Sequence, residues 1–472
     1  MPPFKVIIVG AGLAGSLLAN GLLLNGIDCT LFERDSARDD SQELQSAMYK
    51  GKKREGYQIR LGSNALAGFK ACLTQQQFDD CIKLFGRSGG LVSAAPVLYN
   101  ARFDTVLQDL TKFPAYTKSA PINRVVLRDF LSEPVRAAGK LRHNKYFTKY
   151  EVVKDSNSDS TKIRVHFRDG STDEADILIS AEGTGSKINA QVGLRNIIQL
   201  KETVGFLAKG RLNSDKLRKL PPEVTYGPIT CIKDGKILFF SAYLPPPKTK
   251  SHGSEQVQYD EEAASLFWAF NVPTTCLPPG GMESVLDKTN FCLQQMADWS
   301  PKYHALLQAA DHDDIYVFQP HASTMPAKAW RDKAATAGEP EAGHCRVWLM
   351  GDAIHPMLPG RGMGGNQAMR DTADVLAHIL PLAELARDGQ AVTDSLVHKA
   401  VRDYEDCMIP RAFDWVKKSG GTGMKLPDPE SFQGKMMLWL SGMVLRLAYV
   451  LTVVWKPFSR GTPQDDAPEL PD

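Results

Sequence analysis

The 472-residue sequence carries almost no net charge, because 56 Lys and Arg residues are opposed by 54 Asp and Glu residues. Proteins that bind nucleic acid usually carry a marked positive excess, so we expect no nucleic-acid partner. The eight cysteines include no CxxC pair, and the ten histidines show neither HxxxH nor HExxH spacing. These absences predict no metal site and no disulfide framework, and they favour a reducing, cytoplasmic location.

The N-terminus has the pattern of a dinucleotide-binding βαβ unit. Residues 4–9 and 28–32 predict parallel strands, and the turn Gly10-Ala-Gly12-Leu-Ala-Gly15 opens the helix between them. The first glycine permits a tight turn, the second lets a pyrophosphate approach the backbone, and the third lets the helix pack closely on the strand. Glu33 follows the second strand, where a carboxylate can bind both ribose hydroxyls and disfavours a 2′-phosphate. The sequence therefore predicts FAD or NAD at this turn.

A second glycine-rich segment follows the strand predicted over 346–350. Asp352 comes directly after that strand, and the loop Pro359-Gly-Arg-Gly362-Met-Gly364-Gly365-Asn366 opens a helix predicted over 366–380. A carboxylate at a strand end can bind a polyol chain, and the N–H groups of a helix N-terminus can bind an electron-rich ring edge. This segment therefore suits another part of the same cofactor.

Both segments resemble those of the class A flavoprotein monooxygenases, whose second FAD motif reads GDAxHxxxPxxGxGxN. Every fixed position of that motif is present in residues 351–366. The helix predicted over 121–138 is similar to the family's RxxLxxxL segment, in which Arg124 occupies the arginine position. Residues 176–189 are similar to the third motif, GADGxxSxxR, with Glu182 in place of aspartate and Asn189 in place of arginine. These two departures bear on how a nicotinamide cofactor is engaged.

The resemblance implies a set of FAD contacts spread along the chain. They are Gly10, Gly12, Leu13, Ala14, Gly15, Glu33, Arg34, Gly56, Arg124, Asp352, Pro359, Gly362, Gly364, Gly365 and Asn366. Pro359, Arg361 and Gly362 should also line the substrate side of the flavin. Arg361 could attract an anionic substrate or simply face solvent, and His355 could be a base or a structural residue. No catalytic side chain is identified, because the cofactor supplies the chemistry.

The resemblance further implies an FAD-dependent monooxygenase with NADPH or NADH as a transient reductant. Oxygen would reach an electron-rich apolar substrate through a flavin C4a-hydroperoxide, giving hydroxylation or epoxidation. The chain looks especially similar to the tetracycline-inactivating flavin monooxygenases and to fungal enzymes of secondary metabolism, so an aromatic polyketide, an indole alkaloid or a polyene would fit. A flavin-dependent reductase or oxidase on the same fold remains the alternative.

The expected fold is α/β, with a doubly wound FAD domain that is discontinuous in sequence and an inserted antiparallel substrate domain. The FAD domain would comprise residues 1–65, 105–198 and 320–415, and the substrate domain residues 66–104 and 199–319. A C-terminal helical segment over 416–456 would precede a disordered tail over 457–472. Within that segment, residues 436–455 carry one charge and would form a helix about 30 Å long. This helix either packs across the domains or associates with a membrane.

Overall fold

The computed structural model describes residues 3–37, 58–86, 96–109, 119–154, 160–245, 259–310, 315–336, 338–422 and 428–455. Gly56 and the tail over 457–472 lie outside the described residues. The strands described are β1 Lys5–Val9, β2 Asp28–Phe32, β3 Gln58–Gly62, β4 Val97–Tyr99, β5 Val106–Asp109, β6 Ser119–Asn123, β7 Leu141–Arg142, β8 Phe147–Lys154, β9 Thr161–Phe167, β10 Thr172–Ala175, β11 Ile177–Ser180, β12 Ile197–Gln199, β13 Thr203–Arg211, β14 Ile229–Lys233, β15 Lys236–Tyr243, β16 Ser265–Pro273, β17 Tyr316–Phe318, β18 His321–Ser323 and β19 Val347–Leu349. The α-helices described are α1 Leu13–Leu24, α2 Ser63–Cys72, α3 Gln75–Lys83, α4 Arg124–Ala137, α5 Lys187–Gln191, α6 Ser214–Lys219, α7 Lys288–Gln295, α8 Pro301–Gln308, α9 Trp330–Ala335, α10 Gly364–Arg387, α11 Asp394–Lys418 and α12 Phe432–Trp455.

A parallel five-stranded sheet forms the centre of the first core, with the strand order β19-β11-β1-β2-β7. Its strands are short apolar runs, and Val6, Ile7 and Ile8 of β1 are fully buried. A strand covered on both faces needs apolar side chains at successive positions, which explains the unbroken run. The sequence predicted this strand type correctly, and the α/β fold with an added antiparallel sheet is confirmed.

A seven-stranded sheet forms the second core, with the strand order β17-β13-β16-β15-β14-β4-β5. Its strands pair antiparallel except for β14 and β4, which run parallel. Alternate side chains such as Phe206, Phe240 and Trp268 point to one face and pack against helices α7 and α8. The Trp268 indole N–H donates to the carbonyl of Leu307 at 3.0 Å, which ties the sheet to α8. The other face of this sheet is directed towards the first core.

The first core also takes in α2, which the predicted boundaries placed in the substrate domain. Leu66 and Phe69 of α2 are fully buried with the residues around the parallel sheet. Gly68 allows α2 to cross α10 closely, since a Cβ there would lie 2.0 Å from the carbonyl oxygen of Met369. Residues 66–85 therefore pack with the first core. The apolar side chains that a helix buries decide which core it joins, whatever domain boundary the sequence predicts.

One predicted helix differs in its limits. The helix predicted over 121–138 begins at Arg124, because Pro121 and Ile122 belong to β6, which pairs with β3. The chain passes from one sheet to another at Asp176, since Ala175 ends β10 in an antiparallel sheet and Ile177 begins β11 in the parallel sheet. At the other end of the chain, α12 is a helix as predicted. Among the described residues, no helix combines the length and apolar character needed to cross a membrane.

Candidate cofactor site

The glycine turn after β1 has the shape that its sequence predicts. Gly10 has a φ of +108°, and a Cβ on Gly15 would lie only 2.0 Å from the carbonyl oxygen of Gly10. Gly12 differs from both, since nothing lies within 4 Å of the place where its Cβ would be. It is the N-cap of α1, and no side chain caps the helix there. The helix therefore presents its first N–H groups to an open space, as phosphate binding requires.

Glu33 lies beside this turn and is held in place by backbone hydrogen bonds. The amide of Ala11 donates to its Oε2 at 2.9 Å, and the amide of Asp35 donates to its Oε1 at 3.0 Å. The following residue, Arg34, is exposed. The carboxylate is thus fixed at the end of β2, in the position where the sequence predicts a ribose-binding acid.

Asp352 lies at the end of β19, in a short 3₁₀ turn over Gly351–Ala353. Its side chain is accessible from a cleft, but the surrounding protein still removes water from it, so desolvation raises the pKa of the carboxyl group. The charges of His355 and Arg124 act in the opposite direction and lower the pKa of the same carboxyl group. A Cβ on Gly364 would lie 3.8 Å from Asp352 Oδ1, so the start of α10 faces the same cleft.

Asn366 holds the second glycine-rich loop against β3 through its side chain. Its Nδ2 donates to the carbonyls of Arg60 and Gly362, each at 2.8 Å. The amide of Gly62 donates to its Oδ1, also at 2.8 Å. The side chain is buried and makes three hydrogen bonds to protein backbone, so it positions the loop rather than presenting an amide to a ligand. The N–H groups at the start of α10 stay available, because no side chain caps this helix.

His355 belongs to a buried ionic network and not to the open cleft. Its ring and the Asp371 side chain are both fully buried, with 2.6 Å between Nε2 and Oδ2. Asp371 also accepts the amide N–H of Gly351 and a guanidinium N–H of Arg411, each at 2.8 Å. Burial raises the pKa of Asp371, but His355 and Arg411 outweigh it, so the pKa is lowered overall. Of the two roles left open for His355, this geometry favours the structural one.

The residues at which the third motif departs from the family also serve the framework. Glu182 Oε2 accepts hydrogen bonds from the hydroxyls of Ser180 and Ser186, at 3.1 and 2.7 Å, and burial raises the pKa of the carboxyl group. Asn189 Nδ2 donates to Asn196 Oδ1 at 2.9 Å and to the carbonyl of Ala353 at 2.8 Å. An amide at position 189 therefore joins the third motif to the loop that carries Asp352.

The remaining predicted residues take two kinds of position. Leu13 is buried in α1 and Ala14 beside it is half-buried. At these two positions a ligand would contact the backbone and not the side chain. Pro359, Arg361 and Gly362 form an exposed loop, with a 3₁₀ turn over Pro359–Arg361 and a φ of +64° at Gly362. Gly365 faces β3, since a Cβ there would lie 3.7 Å from the side chain of Leu61.

A face of the seven-stranded sheet is joined to the first core beside this loop. Gln58 Nε2 of β3 donates to the carbonyl of Ser265 at 2.8 Å, and the Tyr243 hydroxyl donates to the carbonyl of Leu84 at 2.8 Å. Ser265 and Tyr243 are directly paired across β16 and β15. Because Asn366 binds the backbone of the same strand, β3 connects the cofactor loop to this face of the sheet.

The next row on this face contains a buried lysine and a buried serine that sequence reasoning missed. Lys209 pairs with Phe267, which in turn pairs with Ser241, and all three side chains are buried. Phe239 packs beside them, with 5.6 Å between its ring centroid and that of Phe267. Ser241 Oγ has no hydrogen-bond partner among the described residues. A lysine at an alternating position of the apolar strand β13 was the available sequence signal.

The motif residues converge because of the strand order. The glycine turn follows β1, Glu33 follows β2, Glu182 follows β11 and Asp352 follows β19. These four strands are neighbours and all run parallel, so their carboxyl ends lie at one edge of the sheet. That edge is where open α/β sheets bind nucleotides. The fold and the site together define a dinucleotide-binding protein.

Comparison with known proteins finds an FAD-binding family model and several relatives. The family model described as "FAD binding domain" matches residues 3–55 and 299–397. Zeaxanthin epoxidase of Nicotiana plumbaginifolia is 26% identical over 431 residues, which cover 85% of this chain and 52% of that protein. Among solved structures, HpxO of Klebsiella pneumoniae, complexed with FAD and uric acid, has a TM-score of 0.63 at 20% identity and covers 94% of this chain and 92% of its own. The tetracycline destructase Tet(51) has a TM-score of 0.55 at 15% identity, covering 95% and 98%.

These findings support a class A FAD-dependent monooxygenase family for this chain. It spans about half the length of the curated relatives that it matches. The two solved structures are less than 25% identical and show the common fold.

Proposed function

We propose that the protein is an FAD-dependent monooxygenase that uses NADPH or NADH and O₂ to hydroxylate or epoxidise an electron-rich apolar compound. The observation that carries the proposal is the convergence of the glycine turn, Glu33 and Asp352 at adjacent ends of one parallel sheet. Two uncapped helix N-termini and the carboxylates of Glu33 and Asp352 form a donor and acceptor set that suits a flavin adenine dinucleotide. The match of residues 3–55 and 299–397 to the FAD binding domain model supports the same cofactor.

Each part of the site has a distinct role in this proposal. The N–H groups at the start of α1 bind the pyrophosphate beside Gly12, and Glu33 binds the adenosine ribose. Asp352 binds the ribityl chain, with Arg124 nearby, and the N–H groups at the start of α10 stabilise negative charge on the ring edge. Bound FAD supplies the redox chemistry with NAD(P)H and O₂. The protein contributes orientation and the exclusion of water.

The substrate would lie between the loop over 359–362 and the facing sheet. Phe239 and Phe267 offer apolar surface there, which suits an aromatic polyketide, an indole alkaloid or a polyene. Ser241 adds a hydroxyl without a partner among the described residues to the same face, so a substrate with one carbonyl or hydroxyl group would suit it better than a pure hydrocarbon. We keep the two-part division into an FAD domain and a substrate domain as part of this proposal, with residues 66–85 moved to the first part.

A flavin-dependent reductase or oxidase is the second candidate, since a fold does not determine a reaction. The purified protein should retain FAD or take it up when FAD is added, and a candidate substrate should stimulate NADPH or NADH oxidation. Turnover under ¹⁸O₂, followed by mass spectrometry, should place one labelled oxygen atom in the product. Reduction of O₂ or of another acceptor without label in an organic product would support the second candidate. A protein that binds no FAD would contradict both.

We further propose that the protein works at the cytoplasmic surface of a membrane and associates with it through residues 436–455. The exposed apolar side chains of α12 support this association. It is separable from the flavin chemistry, because the predicted FAD contacts do not include α12. Removal of residues 432–472 should leave bound FAD unchanged and move the protein from the membrane pellet to the supernatant. A protein found in the supernatant with or without this segment would contradict the association.

A further inference from the structure

Helix α12 carries most of the large apolar side chains that the described part of the chain exposes. Of 17 such residues, ten lie on α12, whereas the other seven are scattered over separate elements. Trp439 is 64% exposed and Leu447 is 61% exposed. Isolated exposed apolar residues are ordinary on soluble proteins, but a continuous patch of them marks an interaction surface.

The ten residues form one stripe along the helix. At 100° per residue they fall within an arc of about 160°. The stripe is formed by Phe432, Met436, Met437, Trp439, Leu440, Met443, Val444, Leu447, Val450 and Leu451. Buried Gly434 and half-buried Leu438, Ser441 and Gly442 lie on the opposite side of the helix. The apolar surface is therefore directed away from the rest of the protein.

Two cations border the stripe, and α12 contains no acidic residue. Lys435 and Arg446 are both exposed and lie on the same edge of the stripe, within about 60° of its nearest member on the helical wheel. Long basic side chains at such an edge can extend to the phosphates of a lipid headgroup layer while the apolar side chains enter it. Trp439 adds an amphipathic ring of the kind that is enriched at membrane interfaces.

The same charges argue against a second copy of the chain as the occupant. In a two-fold dimer the stripe would face itself. With antiparallel helices the two basic edges would lie on the same side of the contact, and with parallel helices each basic edge would find no acidic residue, because α12 contains none. Like charges at close range reduce the stability of such a contact. An anionic lipid surface instead complements the basic edge along its whole length.

The helix is also tied to the sheet that faces the cofactor site. Just before α12, Glu430 accepts the backbone N–H of Ala101 at 3.2 Å, and Asp428 accepts that of Asp234 at 3.4 Å. Ala101 follows β4, and Asp234 lies between β14 and β15. An occupant bound by α12 would therefore fix the orientation of the substrate part of the molecule.

We infer that α12 lies in the plane of an anionic membrane surface, with its apolar stripe inserted between headgroups and with Lys435 and Arg446 on lipid phosphates. This inference rests on the proposed membrane association and names its lipid class and geometry. It does not depend on the flavin reaction.

Vesicle flotation of the full-length chain tests this inference. The protein should float with phosphatidylcholine vesicles that contain about 30% phosphatidylserine and bind much less to phosphatidylcholine alone. The double variant Lys435→Gln/Arg446→Gln should lose affinity for the anionic vesicles by roughly 30-fold, at about fivefold per charge, and added salt should reduce the wild-type binding in the same way. The stripe variant Trp439→Ser/Val444→Ser/Leu447→Ser should lose binding to both kinds of vesicle.

Matched controls separate this effect from a general loss of charge or apolar surface. Lys83→Gln/Arg136→Gln removes two exposed cations from other helices, and Leu286→Ser/Met325→Ser removes two exposed apolar side chains. Both controls should float like the wild type, and all variants should retain the FAD content of the wild type. Equal binding to neutral and anionic vesicles would overturn the inference. So would a wild-type protein that ignores vesicles but sediments as a dimer that the stripe variant dissociates.

Discussion

The buried carboxylate of Asp371 should be among the most important polar side chains for the stability of the first core. It accepts hydrogen bonds from the Gly351 amide and from Arg411, and it pairs with His355. Asp371→Ala removes all three interactions at once and leaves the three partner groups buried. Because a buried ion pair that loses one member leaves an uncompensated charge, we expect a loss of about 3–5 kcal/mol in the free energy of unfolding. The variant should also bind FAD less tightly, since Gly351 precedes Asp352.

The pH dependence of this contribution has a definite sign. The pKa of Asp371 is lower in the folded protein than its ordinary value, so the carboxylate stabilises the fold above the unfolded-state pKa of about 4. The contribution is lost as the pH falls below about 4 towards the folded-state pKa. The stability difference between the wild type and Asp371→Ala should therefore be constant near neutral pH and should shrink in acid.

Urea unfolding followed by circular dichroism, with and without FAD, measures the loss. Asp403→Ala is the matched control, because Asp403 pairs with Lys399 on an exposed helix surface at 2.7 Å. An exposed pair of this kind contributes about 1 kcal/mol or less. A loss for Asp371→Ala no greater than that for Asp403→Ala would refute the account of the buried network.

Three further outcomes follow from the site. Gly12→Ala should leave the fold intact but abolish FAD retention, because its Cβ would enter the open space beside the turn. Gly15→Ala should instead disrupt the turn itself. Circular dichroism measures the fold and flavin absorbance measures bound FAD, so together they separate the two effects. Asn366→Ala should weaken FAD binding, measured by titration, and destabilise the protein by about 1–3 kcal/mol through unpaired backbone groups. Ser241→Ala should leave stability unchanged or raise it, because the hydroxyl has no partner among the described residues, yet it should raise KM for an oxygenated substrate.

The parts of the site that could be predicted from the sequence are those in which a backbone constraint selects the residue type. Gly10 and Gly15 are required by a positive φ and by a close approach, so their spacing carries information without any partner being known. Glu33 and Asp352 could be predicted because each directly follows an apolar strand. In each case the signal lies within a few residues of the element that positions it.

The supporting residues could not be predicted, because their partners lie far away in the chain. Asp371 and Arg411 are separated by 40 residues, and Asn189 reaches Ala353 across 164 residues. Nothing in the sequence near Asp371 or Asn189 indicates which distant group its side chain binds. The predicted domain boundary failed at α2 for the same reason, since the core that this helix joins is shown by contacts with distant residues, such as that of Gly68 with Met369.

Asn366 shows that a motif residue and a ligand contact are different things. The sequence motif assigns it to the flavin, but its three hydrogen bonds go to the backbone of Arg60, Gly62 and Gly362. In the proposed mode of FAD binding, the loop offers backbone N–H groups to the cofactor, and the asparagine fixes where those groups point. Glutamine could not replace it without displacing either β3 or the loop, because the extra methylene would separate atoms that now lie 2.8 Å apart. Backbone N–H donors that a buried side chain already holds in place need little reorganisation when negative charge develops on a flavin ring. Such preorganised donors are what a flavin site requires.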